Sequence, residues 1–371
     1  MQPTSGLKIR CAHTQIIATL VRGEPLLNIT LNKSSEKEAI MITKQADIPT
    51  IDMSPLFGDD MEAKQQVAKQ IDEACRDTGF FFASGHGIDC LREFFNIVDH
   101  FHQNVTEEEK WKMAIAAYDP SHTDHVLTGY YLPIKDKKAV QSFYLQNPSF
   151  NPEHALIKAK TPLHEVNIWP DEAKYPGFRK FIEGYYWKAF EMSRVLLRGF
   201  ALAMGKDERF FDQFFNKEDT MSSMRLIRYP FIDPYPQGAI KTAADGELLS
   251  FETHTDVSLL TVLYQPHVAN LQVDTLGGYK NIRASDETFL VNGGLFLQGI
   301  SNDYYKAPLH RVKYVNAERL SLPFFVHLAY DSVLDGWSPD DPSAAPKYPT
   351  ISYGQFFQSE RLVLIKKNGQ T

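Results

Sequence analysis

From residue 47 onward the chain changes hydrophobic period twice. In MEAKQQVAKQIDEACR, residues 61–76, the apolar side chains Val67, Ile71 and Cys75 recur every fourth position, the spacing that lays a stripe along one face of a helix. Gly58-Asp59-Asp60 precedes this run and Gly79 follows it, which predicts a helix start and stop. FFFAS from Phe80 reads as a strand. Thr106-Glu107-Glu108-Glu109 has the form of a capping box that opens another helix, and Pro176 opens a long helical stretch over about 175–205. Beyond residue 223 the period shortens to two, with turn signals at Asp245-Gly246 and Gly277-Gly278. Strands are predicted over 223–229, 256–264, 270–275, 289–292, 310–315 and 321–329, and a helical pattern returns after Ser352.

Helices first and short antiparallel strands later predict an α+β fold, a distorted jelly-roll (double-stranded β-helix) core flanked by helices. Residues 1–46 read as an extension. Residues 47–371 read as one domain, with a helical part over 47–220, the core over about 221–330, and a C-terminal helix and tail over 351–371. At 371 residues with 43% hydrophobic and 23% charged positions, the chain has the composition of an ordinary globular protein with a sizeable core. The formal charge of -7, with no basic block longer than Lys366-Lys367, excludes the usual electrostatic footprint for nucleic acid. Cys11, Cys75 and Cys90 form no close pair, so neither a disulfide framework nor a cysteine zinc site is expected, and a reducing setting fits. The apolar run Val195 to Met204 is broken by Arg198 and Gly199, and no transmembrane helix is expected. Before residue 36, four basic residues accompany the single acidic Glu24, a pattern open to three readings: an organelle-import leader over 1–40, a flexible extension, or a translation start placed upstream of a true Met41.

Chemistry concentrates at His254-Thr255-Asp256, expected at the start of the strand over 256–264. Side chains at i and i+2 of a strand share a face about 7 Å apart and can reach one metal ion. Such a triplet is common alone; His310, in APLHRV on a later strand, raises its meaning. Two histidines and a carboxylate on one side of an ion leave three positions open, the arrangement iron(II) uses to bind substrate and dioxygen together, whereas catalytic zinc sites more often close at four. Nine residues after His310, Arg319-Leu320-Ser321 places a guanidinium and a hydroxyl on one strand face, a carboxylate clamp.

The runs HTDVSLLTVLYQ, NLQV and NDYYKAPLHRVKYVNAERLSLPFF, with SPLFGDD, RDTGFFF, GYYLPIKDKKAV, HEVNIWPDE, LIRYPFIDPYP and the terminal NGQT, resemble the isopenicillin N synthase family of the iron/2-oxoglutarate oxygenase superfamily. The resemblance extends from about residue 47 to residue 371. It implies iron(II) bound by His254, Asp256 and His310, and by Gln370 until substrate arrives. It implies a tripeptide substrate, aminoadipoyl-cysteinyl-valine, whose thiolate binds iron. The valine carboxylate is then held by Tyr229, Arg319 and Ser321, with Ser223 and Tyr131 as further substrate contacts. Dioxygen is the cosubstrate and 2-oxoglutarate is not expected. The implied reaction is a four-electron oxidation to isopenicillin N, the β-lactam closing before the thiazolidine ring and both oxygens leaving as water. Leu263, Leu271, Val312 and Phe325 line the pocket by the same resemblance, which further implies a cytoplasmic monomer without membrane or nucleic-acid partners.

Three positions depart from the family. Leu127 stands where an arginine pairs with the aminoadipoyl carboxylate, Tyr144 where the family has cysteine, with Gln141 nearby in place of an acid, and Arg361 where an apolar residue faces the substrate channel. Either Arg361 or Lys135 restores the missing charge and the tripeptide remains the substrate, or the pocket takes another carboxylate-bearing thiol peptide. Two further classes stand beside the oxidase: a 2-oxoglutarate-dependent hydroxylase, with Arg319 and Ser321 on the cosubstrate, and a non-catalytic binding protein that retains the fold.

Overall fold

The computed structural model describes residues 8–12, 15–19, 45–339, 341 and 343–368, with side chains described to residue 360. The chain divides into two compact units, 1–46 and 47–371. Within the first, β1 (Lys8–Ala12) and β2 (Gln15–Thr19) pair antiparallel.

The second unit begins with β3 (Thr50–Asp52) and the helix α1 (Met61–Asp77). Asp60 caps α1, its carboxylate accepting from the backbone N–H of Glu62 at 3.0 Å and Ala63 at 3.2 Å, a contact worth about 1 kcal/mol. The predicted stripe of Val67, Ile71 and Cys75 is buried. Then come β4 (Phe80–Ser84), α2 (Leu91–Asn104) and α3 (Glu107–Lys112). The capping box at α3 is formed in both directions: Glu109 N–H donates to the Thr106 hydroxyl at 3.2 Å and Thr106 N–H to the Glu109 carboxylate at 2.9 Å. Next are β5 (Gly129–Tyr131), β6 (Gln141–Gln146), the short α4 (Ala155–Lys158) and α5 (Phe178–Ala203). The long helix starts two residues after Pro176, because Gly177 takes a left-handed conformation (φ 79°) that ends the preceding turn.

The remaining strands are β7 (Ser223–Tyr229), β8 (Lys241–Thr242), β9 (Leu248–His254), β10 (Leu260–Tyr264), β11 (Leu271–Thr275), β12 (Gly278–Asn281) and β13 (Phe289–Gly293). After the helix α6 (Leu295–Ile300) follow β14 (His310–Lys313), β15 (Arg319–Val326) and the C-terminal helix α7 (Tyr353–Asn368). They build two sheets, an eight-stranded one in the order β3-β4-β13-β10-β15-β7-β6-β5 and a five-stranded one in the order β12-β11-β14-β9-β8. Every neighbouring pair is antiparallel except β3 with β4. This is the jelly-roll core expected from the sequence, with α1 and α5 packed together and α5 against β15. The predicted strand over 256–264 is corrected: it begins at Leu260, and His254 closes a strand, β9, that the hydrophobic pattern did not show. Strands β3 to β6, from the part read as helical, extend the larger sheet at both edges. No helix among the described residues is long and apolar enough to cross a membrane.

Candidate metal centre and its cavity

Strands β9 and β14 are hydrogen-bonded neighbours in a register that sets His254 opposite His310, with ring centroids 4.2 Å apart. Opposed residues on antiparallel strands bring their Cβ atoms to about 5 Å, so both imidazoles can address one ion. Asp256 lies beyond the end of β9, in the connection to β10. Two ligands thus come from opposed strand ends and the third from a turn, rather than two from one strand face. That turn is pinned by α6: Leu295 N–H donates to the Asp256 carbonyl at 2.8 Å and Gly294 N–H to the Leu259 carbonyl at 3.0 Å. A Cβ at Gly294 would meet the Ser258 carbonyl oxygen at 1.9 Å, so only glycine allows this approach.

The Asp256 Oδ1 lies 4.0 Å from His254 Nε2 and 3.7 Å from His310 Nε2. One donor atom from each of the three residues falls within 4.8 Å of the others, a group able to hold a metal ion. The other polar atoms of the group are already engaged. His254 Nδ1 faces the Glu252 carbonyl at 2.9 Å and His310 Nδ1 the Pro308 carbonyl at 3.0 Å, which assigns the proton to Nδ1 and leaves each Nε2 lone pair toward the cluster. Asp256 Oδ2 accepts from Thr261 Oγ1 at 2.7 Å and Asn292 Nδ2 at 2.9 Å, leaving Oδ1 to the ion. Outer contacts of this kind orient metal ligands. Burial, and next the charge of His310, pull the His254 pKa down to about 4, keeping the imidazole neutral with its Nε2 lone pair unprotonated. Burial raises the Asp256 pKa, but His310, His254 and the bonds from Asn292 and Thr261 together hold it below the usual carboxylate value. The residues present therefore fit a divalent ion of the iron(II) type.

The cluster opens into a cavity between the sheets, with β6, β7, β10, β13 and β15 on one side and β9, β11 and β14 on the other. Leu263, Leu271, Val312 and Phe325 line it, as do Tyr229, Arg319 and Ser321. Register gathers the last three: Arg319 pairs with Tyr229 and Ser321 with Ile227. The Arg319 guanidinium is buried, stands 4.8 Å over the Tyr229 ring and donates from Nη2 to Gln265 Oε1 at 3.1 Å, while its Nε and Nη1 have no hydrogen-bond partner among the described residues. A buried guanidinium with two idle nitrogens is a receptor for an anion.

Other residues named from the sequence are elsewhere. Ser223 is buried with an unpartnered hydroxyl and is absent from the cavity lining. Tyr131 donates to the Leu127 carbonyl at 3.0 Å and touches the ring of Tyr144, centroids 6.2 Å apart; none of these three lines the cavity. Leu127 is buried, its backbone N–H bound to the Glu165 carboxylate at 3.0 Å. Lys135 is exposed in a turn and absent from the lining. Gln370 and the Arg361 side chain lie outside the described residues. Sequence reasoning missed Thr261 and Asn292, which lock Asp256, and Lys138 and Arg225 in the cavity wall. One signal existed for Arg225: strand alternation puts it on the same face as Tyr229.

Two family descriptions match the chain, the 2OG-Fe(II) oxygenase superfamily over residues 221–328 and the non-haem dioxygenase in morphine synthesis N-terminal region over residues 48–172. Among solved structures, the dioxygenase for auxin oxidation in rice superposes with a TM-score of 0.63 at 20% identity, covering 86% of this chain and 96% of that one. A putative 2OG-Fe(II) oxygenase family protein from Caulobacter crescentus gives 0.68 at 20% identity over 86% of this chain and 100% of its own. At these identities the likeness concerns the fold. Sequence relatives are nearer: isopenicillin N synthase of Penicillium rubens is 55% identical over 89% of this chain and 99% of its own length, and that of Streptomyces jumonjinensis 51% identical over the same shares. Identity of this degree, sustained across a fold that aims two histidines and an aspartate into one cavity, means that the chain belongs to the isopenicillin N synthase family.

Proposed function

We propose that this chain is an iron(II)-dependent oxidase that cyclises aminoadipoyl-cysteinyl-valine to isopenicillin N, with dioxygen as the oxidant. The observation that carries the reading is the 55% identity to an isopenicillin N synthase across 99% of that enzyme's length. Four hydrogen atoms leave the peptide as one N–C and one S–C bond close, and dioxygen takes them up as two waters.

In this reading His254, Asp256 and His310 would hold the iron(II) ion, through the two imidazole Nε2 atoms and the Asp256 Oδ1. Bound iron(II) supplies the electron-transfer chemistry that makes dioxygen reactive. Arg319, Ser321 and Tyr229 receive the valine carboxylate, and the two idle guanidinium nitrogens of Arg319 support this role. Leu263, Leu271, Val312 and Phe325 give the reacting peptide an apolar wall that excludes water. The reaction is assigned to the cytosol and to a single copy of the chain.

The test is anaerobic loading with iron(II), addition of the tripeptide, and product analysis after dioxygen is admitted. A thiolate-to-iron absorption band followed by isopenicillin N is the expected result. An iron site that takes up no thiolate and yields no bicyclic product, or turnover that releases succinate from added 2-oxoglutarate, overturns the assignment.

A further inference from the structure

One stretch of the cavity wall carries charge that neither the metal cluster nor the Arg319 clamp uses. Arg225 on β7 and Lys138, just before β6, both line the cavity. Among the described residues neither has a carboxylate partner. Arg225 donates from Nε to Ser142 Oγ at 2.9 Å, and its guanidinium lies 4.5 Å over the Tyr131 ring. These two contacts fix the plane of the fork, and among the described residues no hydrogen bond engages its two terminal amino groups. Lys138 is near enough to feel it: burial first, and the Arg225 charge second, lower its ammonium to about 8. Two like charges, partly withdrawn from water and unneutralised, are unfavourable in the free protein unless an anion arrives to separate them.

Their position suits a particular anion. Arg225 and Tyr229 lie four residues apart on one face of β7, and Arg319 pairs with Tyr229. Strand rise places Arg225 about 13 Å from the Arg319 clamp, with the apolar Ile227 between. An extended tripeptide with a carboxylate at each end spans such a distance.

We propose that Arg225, assisted by Lys138, forms a second carboxylate-binding site in this cavity and receives the acyl-chain carboxylate of a thiol peptide whose other carboxylate sits on Arg319. The site takes over the charge that is absent at Leu127, from β7 instead of from the segment before β5. This deepens the thiol-tripeptide reading and rests on it. The planar fork of arginine accepts a carboxylate through two parallel bonds, and no ionisation change is required of it.

Direct binding tests the assignment separately from turnover. The full-length chain is loaded with iron(II) without dioxygen and titrated calorimetrically with two peptides of equal length. Adipoyl-cysteinyl-valine ends in a carboxylate, and hexanoyl-cysteinyl-valine carries a methyl in its place. The wild type is expected to prefer the adipoyl peptide by on the order of 30- to 1000-fold, the range for a charge-assisted pair in a partly desolvated site. In Arg225→Leu that ratio should fall to about threefold or less, with iron uptake reporting that the variant is folded. A wild type that binds both peptides equally overturns the proposal without any variant. An Arg225→Leu protein that keeps the wild-type ratio overturns it too, as does a ratio abolished by Lys138→Met alone. If both peptides bind as expected yet dioxygen yields no bicyclic product, the oxidase reading fails while the carboxylate site stands.

Discussion

At the metal-facing end of the cavity every ligand has a second partner, whereas Arg319 and the Arg225–Lys138 wall hold charge with no counter-charge among the described residues. The histidines are tied to backbone carbonyls and Asp256 to Thr261 and Asn292. Among the described residues nothing bonds two of the buried Arg319 nitrogens. The difference reflects what each region must bind. An ion imposes distances and angles, so its ligands are oriented beforehand by outer contacts. A peptide brings its own carboxylates, and a receptor that had already neutralised its cations would have to break those pairs to admit it. Unpaired charge costs stability in the free protein and is recovered on binding.

The comparison breaks most visibly at His310. His310→Ala removes one of three donors, and both iron binding and activity should be lost, activity by more than about a thousandfold; metal analysis showing one tightly held iron, or unchanged turnover, would remove His310 from the ligand set. Next in size is Arg319→Ala, which should raise the KM for the tripeptide by roughly thirty- to several-thousand-fold while iron binding persists. Steady-state kinetics at saturating dioxygen measures it, and an unchanged KM would move the valine carboxylate elsewhere.

Asn292→Ala sharpens the other side. It leaves all three ligands in place but releases Asp256 Oδ2, so iron affinity, read by chelator competition, should weaken about 10- to 100-fold; unaltered affinity would mean that Thr261 alone orients the carboxylate.

The smallest effect is expected at Lys138→Met, which removes an unpaired cation from the wall and should raise the melting temperature of the peptide-free protein by about 2 °C. The sign with pH follows from the lowered folded-state value of about 8, below the ordinary lysine value. The cost of holding the cation beside Arg225 is fully present below that pH and fades as pH rises toward about 10.4, where the unfolded chain also loses its proton. The melting difference between variant and wild type should shrink over that window; a difference that is constant or grows would show that Lys138 is not held charged against its surroundings.

Much of the site was legible because its residue types are rare in combination. His254, Asp256, His310, Arg319 and Ser321 stand out wherever strands return across a sheet, and the apolar lining followed from the family resemblance. What escaped has a physical reason in each case. Strand β9 exposes Leu248 and Phe251, so its hydrophobic pattern lacks the alternation of a half-buried strand. Strand β6 is buried at every position and shows no period of two. Arg225 was missed, because alternation says which residues share a face but not whether that face looks into solvent or a cavity.

The sequence by itself therefore determined the fold class, the helix that Asp60 caps, the capping box at Thr106, the three metal-ligand candidates and the clamp at Arg319, all of which rest on local spacing and residue chemistry. Tertiary structure alone decided that β9 and β14 run side by side, that α6 bends the Asp256 turn over Gly294, and that Arg225, Lys138 and Ser142 meet at one wall. Those are long-range outcomes of strand order and register, which depend on how two sheets close over a shared core and leave no mark in any single stretch of chain.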